Sequence, residues 1–324
     1  KIITIDNNLR KYFFGKNADT SWQKKDQIKK FKNEIIHNSV DIRNHKKISN
    51  IFSKYKNKIK CIIHAAAQPS HDWAYKDPTL DFDVNARATL HLLECTKKFC
   101  SKATFIYVST NKVYGDTPNK LKIKEKKTRF EIVDKKYKKG INENLSIDKS
   151  THSLFGVSKC SADLLVQEYG RNLKLKTGVF RAGCITGPKH SGAELHGFLS
   201  YLVKCNLNKL KYNIFGYKGK QVRDNIHSYD LVNAFWHFHL KPKKGEVYNI
   251  GGSSMNSCSI LEAINLIETM TNQKMIYSFK QKNRVGDHIC YISDISKLRK
   301  HYPNWKIEYS LKEIIRQIIS EMKN

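Results

Sequence analysis

Phe155 and Lys159 stand four residues apart in the run Thr151-His152-Ser153-Leu154-Phe155-Gly156-Val157-Ser158-Lys159. On a helix that spacing places both side chains on one face, about one turn apart. An ammonium one turn from a tyrosine would lower the phenol pKa from about 10 and make it a proton carrier. Here the aromatic is phenylalanine, which has no proton to give or take. Proton transfer would then fall to another group. His152 has an imidazole suited to it, and the Thr110 hydroxyl and the Cys184 thiol are further candidates. The bland alternative is a core phenylalanine, a surface lysine and a structural histidine.

Other runs carry chemistry of their own. Phe105-Ile106-Tyr107-Val108-Ser109-Thr110 is a buried-strand pattern ending in two hydroxyls. In open α/β sheets ligands bind beyond the C-terminal ends of strands, although a strand-end hydroxyl also caps turns. Cys61-Ile62-Ile63-His64 is a second apolar strand, running into Ala65, Ala66, Ala67 and Gln68. Asp6 ends the first strand. In dinucleotide-binding folds such an acid takes the adenosine ribose and lies about 20 residues beyond a glycine-rich phosphate turn. Those glycines would fall before Lys1, so the sequence is expected to lack its first β-α unit. His190, Glu194 and His196 share one loop, but not at an H-x-x-x-H spacing, and no metal is expected.

The elements that position these residues follow from the pattern. Strands are expected at 1–5, 39–43, 58–65, 104–109 and 177–181. Helices are expected through Lys54 and over 81–99 and 156–171, with a lysine-rich loop at 116–150. Strands alternating with helices imply an α/β fold with a doubly wound parallel sheet. After Gly183 the rhythm breaks; a helix over 198–207 and a strand over 212–215 open a smaller lobe.

Composition narrows the function classes. The 324 residues carry 59 Lys+Arg against 29 Asp+Glu, a net charge of +30. Only ten of the basic residues are arginine. Recognition of phosphate and guanine by paired hydrogen bonds favours arginine, so the dispersed lysines read as solvated faces and not as a nucleic-acid site. The excess would still steer an anionic ligand inward. No apolar run is long enough to span a membrane. The eight cysteines have no C-x-x-C spacing and suit a reducing cytoplasm.

Taken in order, 61–68, Asp83-Val84-Asn85, 105–110, Asn111-Lys112-Val113-Tyr114-Gly115-Asp116, Phe155…Lys159, Val179-Phe180-Arg181, 219–224, Tyr248-Asn249-Ile250-Gly251-Gly252 and Arg284-Val285-Gly286-Asp287 resemble the extended short-chain dehydrogenase/reductase family of NAD-dependent nucleotide-sugar epimerases and dehydratases. The resemblance covers nearly the whole chain and implies a Rossmann-like NAD domain over 1–182 plus about 224–252. A nucleotide-sugar lobe would take about 183–223 and 253–324. It implies NAD contacts from Asp6, Asn7, Asp41 and Ile42 at the adenosine end. Ala65, Ala66, Gln68, Asn85, Ser109, Lys159 and Arg181 would supply the rest. Thr110 would hydrogen-bond the sugar oxygen that is oxidised, Lys159 would hold the nicotinamide ribose, and Phe155 stands where the usual tyrosine would be. Arg223 and Arg284 would hold the nucleotide diphosphate, with Asn111, Lys112, Cys184 and Gln221 also facing the substrate.

Within the family the pattern is nearest to epimerases acting on CDP-hexoses at carbon 2. Asn111 and Lys112 take positions that are often acidic in the dehydratases, which argues against loss of water. The implied activity is therefore isomerisation of a nucleotide-activated hexose with a retained NAD, in a chain that could form a homodimer. Missing tyrosine and missing glycines support a different reading, an NAD- or sugar-nucleotide-binding protein impaired in turnover. A related dehydratase or reductase is the third.

Overall fold

The structure is a computed structural model and describes residues 1–194, 196–281 and 286–323. Strand β1 (Ile2–Ile5) pairs in parallel with β2 (Ile35–Asn38), Ile2 opposite Ile35 and Ile5 opposite Asn38. Parallel neighbours need a crossover, here helices α1 (Leu9–Phe14) and α2 (Ser21–Lys30). The strand expected at 39–43 is not formed. The Asp41 side chain accepts the Arg43 backbone N–H at 2.8 Å, and this local turn competes with pairing. Helix α3 (His45–Tyr55) follows, capped by the Asn44 side chain and burying Ile48 and Phe52.

Strand β3 (Cys61–His64) leads to α4 (His71–Lys76), α5 (Pro78–Phe82) and α6 (Ala88–Phe99). Pro78 sits at the first turn of α5, where its missing N–H costs nothing, and Asp77 caps it. Between α5 and α6 lies a π-helical turn, Asp83–Arg87. The helix expected over 81–99 thus starts earlier and carries an inserted turn that re-aims Asn85. Strand β4 (Thr104–Thr110) pairs in parallel with β3, Cys61 opposite Thr104 and His64 opposite Tyr107.

The segment expected as a loop over 116–150 contains an antiparallel hairpin, β5 (Ile123–Glu125) with β6 (Phe130–Ile132). Helix α7 (Leu154–Arg171) and strand β7 (Lys176–Ala182) follow, then β8 (Cys184–Thr186), α8 (Phe198–Leu207) and β9 (Tyr212–Phe215). Beyond these lie β10 (Val222–His227), α9 (Ser228–Leu240), β11 (Glu246–Ile250), β12 (Ser257–Ser259), α10 (Ile260–Thr271), β13 (Tyr277–Lys280), β14 (Cys290–Tyr291), α11 (Ser296–His301) and α12 (Leu311–Lys323). The larger parallel sheet has the order β11-β7-β4-β3, while β10 lies between β12 and β14 and also pairs with β8. The chain is therefore α/β with parallel sheets flanked by helices.

Packing divides the chain into two units: Lys1–Ser109 with Leu154–Val179 and Lys241–Glu246, and Thr110–Ser153 with Phe180–Leu240 and Val247–Asn324. This division follows packing, whereas the one expected from the sequence followed the ligands. The first unit buries Phe105, Ile106 and Tyr107 of β4 and Ala162 and Val166 of α7. The second builds its core from α8, α10 and α12, with Leu202, Val203, Ile267, Ile314 and Ile318 fully buried. Among the described residues no helix is long and apolar enough to cross a membrane.

Candidate functional site

Helix α7 places Phe155, Lys159, Asp163 and Gln167 at successive four-residue steps, one stripe along its axis. Lys159 is only 3% exposed. Its Nζ donates to the Val108 carbonyl at 2.9 Å and lies 4.3 Å from the centre of the Tyr107 ring. Burial pushes its pKa down to about 7, opposed by the charges of Asp163 and Asp81. Asp163 is itself buried. It accepts from the Ser109 hydroxyl at 2.6 Å and from Gln167 Nε2 at 2.6 Å. Lys159 and Ser109, both singled out from the sequence, are thus linked through an acid that the sequence reading missed. The available signal was an Asp one turn beyond Lys159, on a face otherwise meant for the core.

The π-helical turn aims Asn85 at the loop after β3. Asn85 Oδ1 accepts from the Gln68 backbone N–H at 2.9 Å, and its Nδ2 donates to Gln68 O, Asp81 Oδ1 and Ser158 Oγ. Gln68 Nε2 also donates to Asp81 Oδ1 at 2.6 Å. Asp81, expected only to open a helix, is buried at the centre of this network, and burial raises its pKa. His64 is locked to Thr89 at 2.8 Å, and burial depresses it to about 3, so it stays neutral.

Phe155 is 6% exposed, and its ring meets that of His71 edge to face, with centroids 5.1 Å apart. His152, expected one turn from Phe155, precedes α7; its Nε2 lies 2.9 Å from the Ile147 carbonyl of its own loop.

At the ends of β1 and β2, Asp6 is exposed and accepts the Asn8 N–H through Oδ1 at 2.5 Å. Asn7 Nδ2 donates to Asp41 Oδ2 at 3.0 Å, and Asp41 grips the Arg43 guanidinium, whose hydrogen bonds lower its pKa. Ile42, between Asp41 and Arg43, is buried. A groove of about 460 Å³ opens nearby, lined by Arg43, Asn44, His45, Asp83 and Arg87. Ala65 is exposed and Ala66 half-buried, small side chains that let a ligand approach the backbone. An exposed acid at a strand end, open small residues and a buried ammonium form a donor set that fits NAD. Asp6 suits the adenosine ribose diol and Lys159 the nicotinamide ribose.

In the second unit Thr110 Oγ1 accepts the Lys112 N–H at 3.2 Å and caps the turn Asn111–Tyr114, so the capping role is real. Its hydroxyl also lies 3.4 Å from Asn111 Oδ1, and Asn111 is buried. Lys112 Nζ donates to Gly286 O at 2.7 Å and sits 3.6 Å from Asp287 Oδ1. Arg223 Nη2 lies 3.3 Å from that same oxygen, and its Nη1 donates to Val222 O. The structure thus brings Lys112 and Arg223 together on Asp287, the last residue of the Arg284-Val285-Gly286-Asp287 run. Arg284 lies outside the described residues.

Gln221 is buried, donating to Phe215 O at 3.2 Å, and its Oε1 has no partner among the described residues. Arg181 donates to the Tyr114 hydroxyl at 3.0 Å and stacks on that ring, while the hydroxyl donates to Asn249 Oδ1. Arg181 is therefore engaged with Tyr114 in the second unit. Burial raises the Cys184 thiol to about 11, so it is a poor proton carrier near neutral pH. Asp224 is fully enclosed, accepting the Ser253 and Ser293 N–H groups, and burial raises it to about 6.

Residues 7–251 match the NAD dependent epimerase/dehydratase family. The chain is 32% identical to the CDP-paratose 2-epimerase of Salmonella typhi over 293 residues, 88% of this chain and 83% of that protein. It is 25% identical to the dTDP-glucose 4,6-dehydratase of Escherichia coli, over 82% of this chain and 72% of that one. In fold it is similar to the UDP-glucuronic acid 4-epimerase of Bacillus cereus, with a TM-score of 0.77 at 24% identity, covering 99% of this chain and 90% of that one. Matching motifs in family order, a parallel α/β fold and a buried α7 lysine bonded to the Val108 carbonyl of β4 agree with these likenesses: the chain belongs to the NAD dependent epimerase/dehydratase family, and its cofactor is NAD.

Proposed function

We propose that this chain epimerises a nucleotide-activated hexose, with a CDP-hexose inverted at carbon 2 as its substrate. The observation that carries the choice of reaction is the turn after Thr110. Asn111 and Lys112 stand there, the latter beside Asp287. An amide and an amine cannot act as the carboxylic acids that elimination of water requires. The choice of base and carbon is supported by the likeness to the CDP-paratose 2-epimerase.

NAD, when bound, supplies the acceptor and donor of the two electrons exchanged with the sugar carbon. The chain's own residues do the rest. Asp6 and Asn7 hold the adenosine ribose, with Asp41 and Ile42 at the adenine. Lys159 holds the nicotinamide ribose, and Asn85 and Gln68 fix the small-residue loop beside it. Thr110 donates to the oxygen whose carbon becomes a ketone. Arg223 and Arg284 hold the diphosphate, for which a planar guanidinium fork is suited. On this reading 1–182 with about 224–252 serves NAD, and about 183–223 with 253–324 serves the sugar nucleotide.

The test is a panel of CDP-, UDP- and dTDP-hexoses incubated with the protein and NAD, with products identified by NMR. A carbon-2 epimer of a CDP-hexose, formed without loss of water, is the expected product. A 4-keto-6-deoxy sugar would instead identify a dehydratase. A second reading rests on Phe155, which lacks the phenol: a protein that binds NAD and sugar nucleotide without turnover. Tight binding with no product from any hexose in the panel would favour it.

A further inference from the structure

Phe155 leaves the reaction proposed above without a proton carrier at that position. A sugar hydroxyl that becomes a carbonyl must lose a proton, and the reverse step must return one. Other candidate groups are poor choices. His64 is buried, bonded to Thr89 and held neutral. The Cys184 thiol stays protonated. The Phe155 ring itself packs against an imidazole, that of His71, at 5.1 Å between centroids.

His71 is not placed there by chance packing. It is the first residue of α4, directly after the cap Ser70, whose hydroxyl accepts the Trp73 N–H at 3.3 Å. The buried Gln68 side chain grips Ser70 from both sides, accepting its N–H at 2.5 Å and donating to its carbonyl at 2.8 Å. The same Gln68 side chain donates to Asp81, and Asn85 bonds Gln68, Asp81 and Ser158. Ser158 lies on α7, adjacent to Lys159. A continuous buried network thus fixes the start of α4 against the helix that carries Phe155 and Lys159. His71 itself is half-buried, which leaves it a route to solvent.

We infer that His71 is a catalytic residue that carries the proton in place of a tyrosine at position 155. This rests on the epimerase reading. An imidazole nitrogen would take the proton of the sugar hydroxyl, while NAD, when bound, would supply the acceptor for the carbon's hydrogen and its electron pair. Both would return to give the epimer, so NAD would be regenerated and no oxidant consumed. Phe155 then serves as the apolar wall against which the imidazole is oriented.

The experiment uses the full chain and the variants His71→Gln, Phe155→Tyr and the two combined. First, carbethoxylation of His71 is followed by peptide mass spectrometry with and without NAD. Protection of at least about fivefold by NAD is expected, and an unchanged rate overturns the inference. Second, turnover is measured on whichever hexose of the panel reacts. His71→Gln should lower kcat on the order of 100-fold or more, the scale of a positioned acid–base group. KM and NAD affinity should stay within about threefold, and adding Phe155→Tyr should recover at least about tenfold. An undiminished kcat, or a loss that lies in NAD affinity and is not recovered by the tyrosine, overturns it. If the unaltered chain turns over no hexose, the epimerase reading fails first, and the proton role of His71 falls with it.

Discussion

The Ser109 hydroxyl donates to Asp163 Oδ2 at 2.6 Å and ties the end of β4 to α7, one turn beyond Lys159. The same carboxylate favours the charged form of that lysine, against the burial that disfavours it. Lys159 is therefore poised near neutrality by two opposed effects. In water a lysine would titrate near 10.4.

Stability should register this balance. A lysine whose folded-state pKa is lowered to about 7 opposes folding while it is protonated. From about pH 7 to about pH 10 the unfolded chain binds more proton at this site, so the lysine's contribution rises with pH. Relative to Lys159→Met, the unaltered protein should gain on the order of a few kcal/mol over that range in urea denaturation. A pH-independent difference would contradict the assignment.

Asp163→Asn keeps an acceptor for Ser109 and removes the charge. The pKa of Lys159 should then fall further, below that of the unaltered protein. Labelling Lys159 by reductive methylation across pH and reading the rate by mass spectrometry measures this. An unchanged titration would mean that Asp163 does not support the ammonium.

Cys184 should react slowly with iodoacetamide. Burial raises its thiol to about 11, so at pH 7.5 the reactive thiolate is scarce. Its alkylation should be on the order of 100-fold slower than that of an ordinary thiol of pKa about 8.5. Cys184→Ser should leave kcat within about twofold. A large loss of kcat in this variant would restore Cys184 as a proton carrier.

Arg223→Ala should weaken sugar-nucleotide binding by about 1.5–3 kcal/mol, the scale of a hydrogen bond to a charged group, and leave NAD binding nearly unchanged. Arg284→Ala is expected to do the same. Calorimetric titration of each ligand separates the two effects. Equal losses for both ligands would place Arg223 outside the diphosphate site.

Gly140 offers a test of the second unit alone. Its φ is +112°, and a Cβ there would lie 2.6 Å from the Ile292 carbonyl and 2.9 Å from Asp294 N. The chain cannot yield easily, because Ile141 exchanges backbone hydrogen bonds with Ile292 and Asp294. Gly140→Ala should cost on the order of 2–4 kcal/mol. A loss below about 0.5 kcal/mol in a denaturation curve would show that this turn is free to adjust.

What could be read from the sequence was local. The helix Phe198–Leu207 and the strand Tyr212–Phe215 fall where apolar periodicity placed them. Lys159, Ser109 and Asn85 were recognisable by position within motifs. The hairpin at Ile123–Ile132 was hidden by its lysines and by strands of only three residues. The turn at Asp41 was hidden because a side chain took a backbone hydrogen bond from the strand. Asp81, Asp163 and His71 acquire their surroundings only from distant contacts. Asp81 reaches Gln68 and Asn85, Asp163 reaches Ser109, and His71 reaches Phe155. No spacing along the chain announces those meetings.

The central claim is transient oxidation at the carbon that is inverted, with the hydrogen removed and restored within the site. Turnover of a CDP-hexose in deuterated water, followed by NMR, tests it most directly. The account predicts an inverted carbon 2 that carries its original hydrogen, with no accumulation of reduced NAD. Solvent deuterium at the inverted carbon would contradict it and identify enolisation as the route.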